Sequence, residues 1–235
     1  MGRKWWIVAG LVVAAMLWNS ADAQEETEDA PVFTPPMQTQ GTETAVTDTL
    51  EFPFVVRGTE LIVQYAAQYE GPFLEDEIQE PVSGVMALMV YNPGTKYVKS
   101  ARLIVQRGQE KLLFEITMLP PGSRVLVLEK NKSPYSEELP DDCHCFTLDM
   151  EQKMGATDIV VSEADGKLFA ENQTGQPVSN VTLYYKQYSA EDGFYLGGYT
   201  CSKYIGSLMP EERIEVDLYR YVTGYSRIVA VTAEQ

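Results

Sequence analysis

The sequence predicts an all-β protein built as two tandem sandwich domains, and three observations carry this prediction. One pattern of residues occurs twice along the chain. Apolar and polar residues alternate in short runs, as in strands that are buried on one face. Gly, Asn and Asp separate these runs at the spacing of hairpins and sandwich turns. Downstream of the N-terminal region, no long run has helical periodicity.

The repeat is the firmest of these observations. Asn92 is followed by a turn and an apolar run, and Asn172 begins the same arrangement 80 residues later. The pattern of residues 116–127 then recurs at 205–216, an offset of 89 residues. The second copy therefore holds nine extra residues, which fall in the Tyr-rich stretch 184–204. Insertions between matched elements usually map to loops.

Residues 1–23 have the form of an export signal. Two basic residues precede an apolar run at residues 5–18, and Ala21-Asp22-Ala23 has the small-x-small form that signal peptidase accepts. The run is shorter than the about 20 residues that a bilayer span needs. An uncleaved anchor is the alternative, because Trp residues flank the run. We expect an extracellular or cell-surface protein that meets the membrane only through residues 5–18, if they are retained.

Residues 24–54 predict a flexible acidic linker. Up to residue 49 this stretch has no Lys or Arg and is rich in Glu, Asp, Thr, Gln and Pro. Such a composition leaves too little apolar surface to offset the entropy of ordering the chain. The rest divides into a first domain at 55–150 and a second at 151–235, each near the usual size of a sandwich.

Six strands are expected in the first domain. The run 84–91 is almost wholly apolar, which is typical of a strand buried on both faces. Gly108 marks a hairpin, and the acidic stretch 70–80 is either a loop or one short helical turn. The expected strands are 60–69, 84–91, 102–106, 111–116, 123–129 and 143–149.

Six further strands are expected in the second domain. Asp-Gly between alternating runs is a hairpin signal, and it occurs at 165–166 and 192–193. The expected strands are 159–163, 167–172, 181–188, 194–200, 213–218 and 227–232. Along 181–188, alternation puts two groups of side chains on opposite faces. The core face holds Val181, Leu183 and Tyr185, and the other face holds Tyr184, Lys186 and Tyr188.

The Asn turn with its following apolar run, and the later Leu-x-Pro before an alternating strand, resemble the immunoglobulin-like sandwich domains of bacterial exported and surface proteins. The resemblance covers roughly residues 55 to 235, and its motifs specify turns and core positions but no site. It implies two tandem immunoglobulin-like β-sandwich domains. It also implies adhesion, carbohydrate or protein binding, or spacing as the role.

The segment Asp142-Cys143-His144-Cys145 contains the only His of the chain. Thiols and imidazole are zinc ligands, but zinc sites normally separate their Cys by two to four residues, and a fourth ligand is unassigned. We therefore expect no metal site and no cofactor. An exported chain meets an oxidising compartment, so a disulfide of Cys201 with Cys143 or Cys145 is one alternative, and free thiols are the other.

The sequence does not favour an enzyme or a nucleic-acid-binding protein. A Cys or Ser nucleophile needs a positioned base, and the only His is adjacent in sequence to two of the three Cys. No pair of carboxylates stands out among the 34 acidic residues. The net charge is −16 and Lys and Arg form no cluster, which makes nucleic acid and anionic lipid headgroups poor partners.

Five tyrosines form the candidate binding site: Tyr184, Tyr188, Tyr195, Tyr199 and Tyr204. Aromatic side chains give rigid, amphipathic contact area, and these lie in the stretch that the first copy lacks. The alternative is that they fit half-buried strand surfaces, or the contact between the domains.

We predict non-catalytic binding of a protein or carbohydrate at the cell surface, mainly through the second domain. A structural accessory of an envelope assembly is the second reading, and a hydrolase is the third. Homodimerisation through an open sheet edge is a further expectation, because sandwiches leave edges that need cover.

Overall fold

The computed structural model describes residues 49–151 and 158–234. All the regular secondary structure in these residues is β-strand. The all-β prediction is confirmed. The predicted export signal and the linker up to residue 48 lie outside the described residues. No helix in the described part of the chain is long and apolar enough to cross a bilayer.

The thirteen strands follow the order of the predicted segments, with a short additional strand at the start. They are β1 (Phe54–Val55), β2 (Ile62–Pro72), β3 (Pro81–Tyr91), β4 (Tyr97–Arg107), β5 (Glu110–Leu119), β6 (Arg124–Leu128), β7 (Asp142–Glu151), β8 (Ile159–Ala164), β9 (Lys167–Asn172), β10 (Val178–Ser189), β11 (Phe194–Leu208), β12 (Arg213–Val216) and β13 (Ser226–Glu234). The stretch 70–80 completes β2 and continues as a loop without a helical turn.

The strands form one seven-stranded sheet and two three-stranded sheets. The large sheet has the order β1-β2-β3-β6-β11-β10-β13, and the small sheets have the orders β5-β4-β7 and β12-β9-β8. The order β6-β3-β2 recurs as β12-β9-β8, and β5-β4-β7 recurs as β11-β10-β13. We call β2–β7 the first copy and β8–β13 the second copy. The large sheet takes strands from both copies, and the domain boundary after residue 150 stays a prediction.

The copies join where β6 pairs with β11. Tyr195 lies opposite Val125 and Leu196 opposite Leu126, and this pairing is parallel, whereas the other named strand pairs are antiparallel. Seven of the nine extra residues of the second copy lengthen β10 and β11, and two lengthen the loop between these strands, from 108–109 in the first copy to 190–193 in the second. The extended strands reach the first copy.

Asn92 and Asn172 make the same hydrogen bonds in the two copies. Both side chains are fully buried, and each amide nitrogen donates to three backbone carbonyl oxygens. The acceptors are Lys96, Leu119 and Pro120 in the first copy, and Gln176, Leu208 and Met209 in the second. Each acceptor of the second copy follows its counterpart by 80 or 89 residues. The sequence repeat is therefore confirmed by the structure, because the individual hydrogen bonds of the two asparagines correspond.

Two main clusters of buried apolar side chains fill the interior. One lies between β2, β3, β6 and the β5-β4-β7 sheet, and it includes Phe114 and Leu103. The other lies within the second copy and includes Leu183 and Tyr185, as alternation predicted. Burying a side chain of this size contributes about 1.5–3 kcal/mol. The first cluster also contains Tyr195 and Val229, which belong to the second copy.

Candidate functional site

Three of the five candidate tyrosines face the first copy. Tyr184 and Tyr188 are half-buried and pack against the first core, and Tyr195 is buried in it. The Tyr188 and Tyr195 rings meet edge to face with centroids 5.2 Å apart, and the Arg227 guanidinium stacks 3.5 Å from the Tyr188 centroid. These side chains are engaged in the contact between the copies.

Tyr199 and Tyr204 are the exposed members of the set, at 40% and 61%. Tyr204 donates a hydrogen bond to Asn180 on the neighbouring strand. Tyr199 lies on the extension of β11, beside the loop that joins β2 to β3. The five tyrosines thus do not share one surface, and Tyr199 is the one that borders a pocket.

Two glycines bring β11 against the first copy. A Cβ on Gly198 would lie 1.8 Å from the Glu115 carbonyl oxygen, and a Cβ on Gly197 would lie 2.6 Å from the Leu74 Cβ. Gly197 also has a φ of +77°, which side chains with a Cβ rarely adopt. Only glycine lets this strand run between β5 and the β2–β3 loop.

Glu75 is a buried carboxylate that ties the copies together. It is 4% exposed, and it accepts backbone hydrogen bonds from Leu128 at 2.8 Å, from Gly198 at 2.8 Å and from Tyr199 at 3.1 Å. Burial raises the pKa of Glu75, while these N–H donors and the charge of Lys186 oppose the rise. The carboxylate therefore spans strands of both copies.

Lys186 holds the other side of the same segment. Its ammonium donates to the carbonyl oxygens of Gly197 at 3.0 Å, Gly198 at 2.6 Å and Tyr199 at 3.1 Å. Burial lowers the pKa of Lys186 to about 7, and the charge of Glu75 opposes this shift. All three ammonium hydrogens have acceptors, so this amine is occupied as a structural donor.

A pocket opens beside this pair, between the β2–β3 loop and the loop that joins β12 to β13. Its lining includes Leu74, Gln79, Tyr185, Tyr199, Cys201 and Arg220. Arg220 donates to the Ile78 carbonyl oxygen at 3.2 Å, and its guanidinium lies 4.7 Å from the centroid of the Tyr219 ring. This link connects the two loops.

Three exposed side chains lie at the pocket or next to residues that line it, and we call them the pocket rim. Tyr199 lines the pocket and is 40% exposed, whereas Ile78 at 71% and Tyr219 at 68% are the chain neighbours of the lining residues Gln79 and Arg220. Sequence reasoning missed Ile78 and Tyr219, as well as Arg220 and Glu75. The signal for Tyr219 was present, because residues 217–225 contain three tyrosines. No local signal marked Ile78, which lies in a stretch that reads as acidic loop.

The Cys-His-Cys segment lies on β7. Cys143 is buried in the first core, and burial raises its pKa to about 12. His144 is partly exposed, with Nδ1 3.3 Å from Asp142. Cys143, Cys145 and Cys201 are free thiols, so the structure does not contain the disulfide considered for Cys201. Residues 49–151 and 158–234 hold no group of three or more His, Cys, Asp or Glu side chains that would suit a metal ion.

No protein-family model matches the chain, and no curated protein or solved structure matches it either.

Proposed function

We propose that this chain is a non-catalytic exported or cell-surface protein of two tandem immunoglobulin-like sandwich domains. In this proposal the chain binds a protein or glycan partner mainly through the second copy, which supplies Tyr199 and Tyr219 of the pocket rim. The repeated strand order and the repeated Asn hydrogen bonds support the tandem arrangement. The form of residues 1–23 supports export.

The observation that carries the binding proposal is the exposure of Tyr199, which lines the pocket, together with that of Ile78 and Tyr219, which adjoin its lining residues Gln79 and Arg220. Exposed aromatic and aliphatic side chains that are grouped on one surface are typical of binding surfaces. The backbone beneath Tyr199 is fixed by Glu75 and Lys186. A surface that is rigid before binding loses less entropy when the partner arrives.

The test is a screen of the purified protein against immobilised glycans and displayed peptides, followed by calorimetry on the ligands found. The double variant Tyr199→Ser/Tyr219→Ser should bind them at least about tenfold more weakly and keep its melting temperature, because both side chains are exposed. Tyr204→Ser is the matched control, since Tyr204 is exposed and neither lines the pocket nor adjoins a residue that lines it. Retained affinity in the double variant would reject the rim as the site.

A scaffold role is the second candidate function. The large sheet continues through both copies. The hydrogen bonds of Glu75 and Lys186 fix the junction between the copies, where β11 meets the first copy. Such a junction suits a rigid spacer in an envelope assembly. In that case Glu75→Ala would reduce assembly by loosening the junction, and the Tyr199→Ser/Tyr219→Ser variant would have no effect.

Mass spectrometry of the native N-terminus tests the location. A chain that begins at Gln24 in the medium is the expected result for a released binding protein. An intact segment 5–18 in the membrane fraction would favour the anchored scaffold instead.

A further inference from the structure

The second half of β7 is an open sheet edge. β7 is the outer strand of the β5-β4-β7 sheet, and residue 57 covers only its beginning, through a hydrogen bond from Arg57 N to the Cys143 carbonyl oxygen and a bridge to His144. Within the described residues, no strand pairs with the outer side of β7 from Phe146 to Glu151. Unpaired backbone groups in an edge strand are a template for another strand.

Phe146 is an addition that the second copy lacks. Cys145 and Thr147 pair with neighbouring residues of β4, so Phe146 between them is the extra residue of a β-bulge. At the equivalent place in the second copy, Val231 and Thr232 follow each other directly. Bulges re-aim side chains and are common beside functional sites. Here the bulge presents an aromatic ring that is 65% exposed.

The same half of β7 carries both apolar and acidic side chains. Leu148 is 40% exposed. The Asp149 and Glu151 carboxylates are partly exposed and, within residues 49–151 and 158–234, share one cation, with Lys99 Nζ at 3.8 Å and 2.8 Å. In this described part of the chain, one ammonium leaves part of the negative charge uncompensated. Apolar side chains next to uncompensated carboxylates complement a strand whose residues alternate between apolar and basic.

We propose that the edge of β7 from Phe146 to Glu151 takes an extended segment of another protein as an added strand, with apolar residues against Phe146 and Leu148 and basic residues near Asp149 and Glu151. Backbone hydrogen bonds supply affinity in this mode, and alternate side chains supply specificity. A second copy of this chain is a poorer occupant, because two chains of net charge −16 repel each other. This surface is separate from the pocket rim, and the proposal does not depend on the function of the rim.

The probe is a short synthetic peptide of alternating valine and lysine, with a valine–glutamate peptide as the charge control. Amide shifts in NMR spectra of the labelled protein locate the peptide, and fluorescence anisotropy gives its affinity. We expect shifts at residues 146–151, and affinity at least about tenfold lower in Phe146→Ser and in Leu148→Lys. Both side chains are exposed, so melting temperatures should change little.

Val160→Lys is the matched control for edge binding in general. Val160 is 36% exposed on β8, the outer strand of the β12-β9-β8 sheet. This variant should keep the affinity of the unaltered protein within about twofold.

Three results would overturn the proposal. The first is an equal loss of affinity in Val160→Lys, and the second is equal or no binding of the two peptides. The third is a dimer in sedimentation that Leu148→Lys converts to monomer, which would make a second copy the occupant.

Discussion

The two copies place the same buried asparagine in the same hydrogen bonds, and they differ in the hairpin that follows this asparagine. In the first copy, β4 and β5 turn at Gly108, where an added Cβ would have no atom within 4 Å. In the second copy, β10 and β11 are longer, and their extension pairs with β6 and packs on β5. The extra residues of the second copy thus form the contact between the two copies. The features shared by both copies stabilise each copy, and the features present once join the two copies.

Gly198→Ala disrupts the junction between the copies and should have the largest effect on stability. The new Cβ would lie 1.8 Å from a backbone oxygen of β5, so a strand must move. We expect the free energy of unfolding in denaturant to fall by about 4 kcal/mol or more. Gly175→Ala is the control, because it has a free environment and no positive φ, and it should change stability by less than about 0.5 kcal/mol. Similar losses for the two variants would mean that β11 is not held tightly against β5.

Glu75→Ala tests the buried carboxylate of the same junction. It leaves the N–H groups of Leu128, Gly198 and Tyr199 without their acceptor and removes the charge that faces Lys186. The expected loss is about 3 kcal/mol by equilibrium denaturation. Glu80→Ala, an exposed acid of the same loop, should be nearly neutral. Unchanged stability in Glu75→Ala would show that the junction does not need the carboxylate.

Asn92→Ala and Asn172→Ala test what the copies share. Each change removes a buried amide that serves three carbonyl oxygens, and we expect each to cost about 2 kcal/mol. The two losses should agree within about 1 kcal/mol, because the hydrogen bonds are equivalent. Gln173→Ala, at an exposed neighbouring position, is the control. A large difference between the stability losses of the two Asn variants would show that the copies are not equivalent.

Lys186 should give the smallest effect, as a pH dependence present only in the second copy. Its folded pKa of about 7 lies below its ordinary value of 10.5. Between these values the unfolded chain binds a proton that the folded chain lacks, so stability rises with pH. Between about pH 7 and 8, where Cys and Tyr side chains are still mostly protonated, the slope should be at most about 1.4 kcal/mol per pH unit. The same slope in Lys186→Met would contradict this assignment.

The sequence predicted what depends on neighbouring residues. The run 85–90 is buried on both faces as expected, with Leu88 in the first core and Ala87 against Phe73 and Leu74. The Asp-Gly hairpin at 165–166 and the Asn turns also formed where expected, since turn chemistry acts within a few residues.

The sequence did not predict what depends on the junction. Alternation puts Lys186 on the outer face of β10, but that face is covered and the side chain is fully buried. The hydrogen bonds of Glu75 to β11 join residues 123 and 124 positions apart, which leave no local pattern. Of the candidate tyrosines, Tyr184, Tyr188 and Tyr195 are engaged in the same contact. Alternation indicates that a face exists, but it does not indicate what covers the face.

The first core has a consequence for how the chain reaches its native state during synthesis. Tyr195 and Val229 belong to that core, although its other buried members lie between Val56 and Cys143. The ribosome releases the chain from its N-terminus, so strands β2 to β7 emerge long before the residues that complete their packing. Contacts between segments so distant along the chain form slowly. Until β13 emerges, the side chains that later meet Tyr195 and Val229 are exposed, and this is the interval in which a chaperone would protect them.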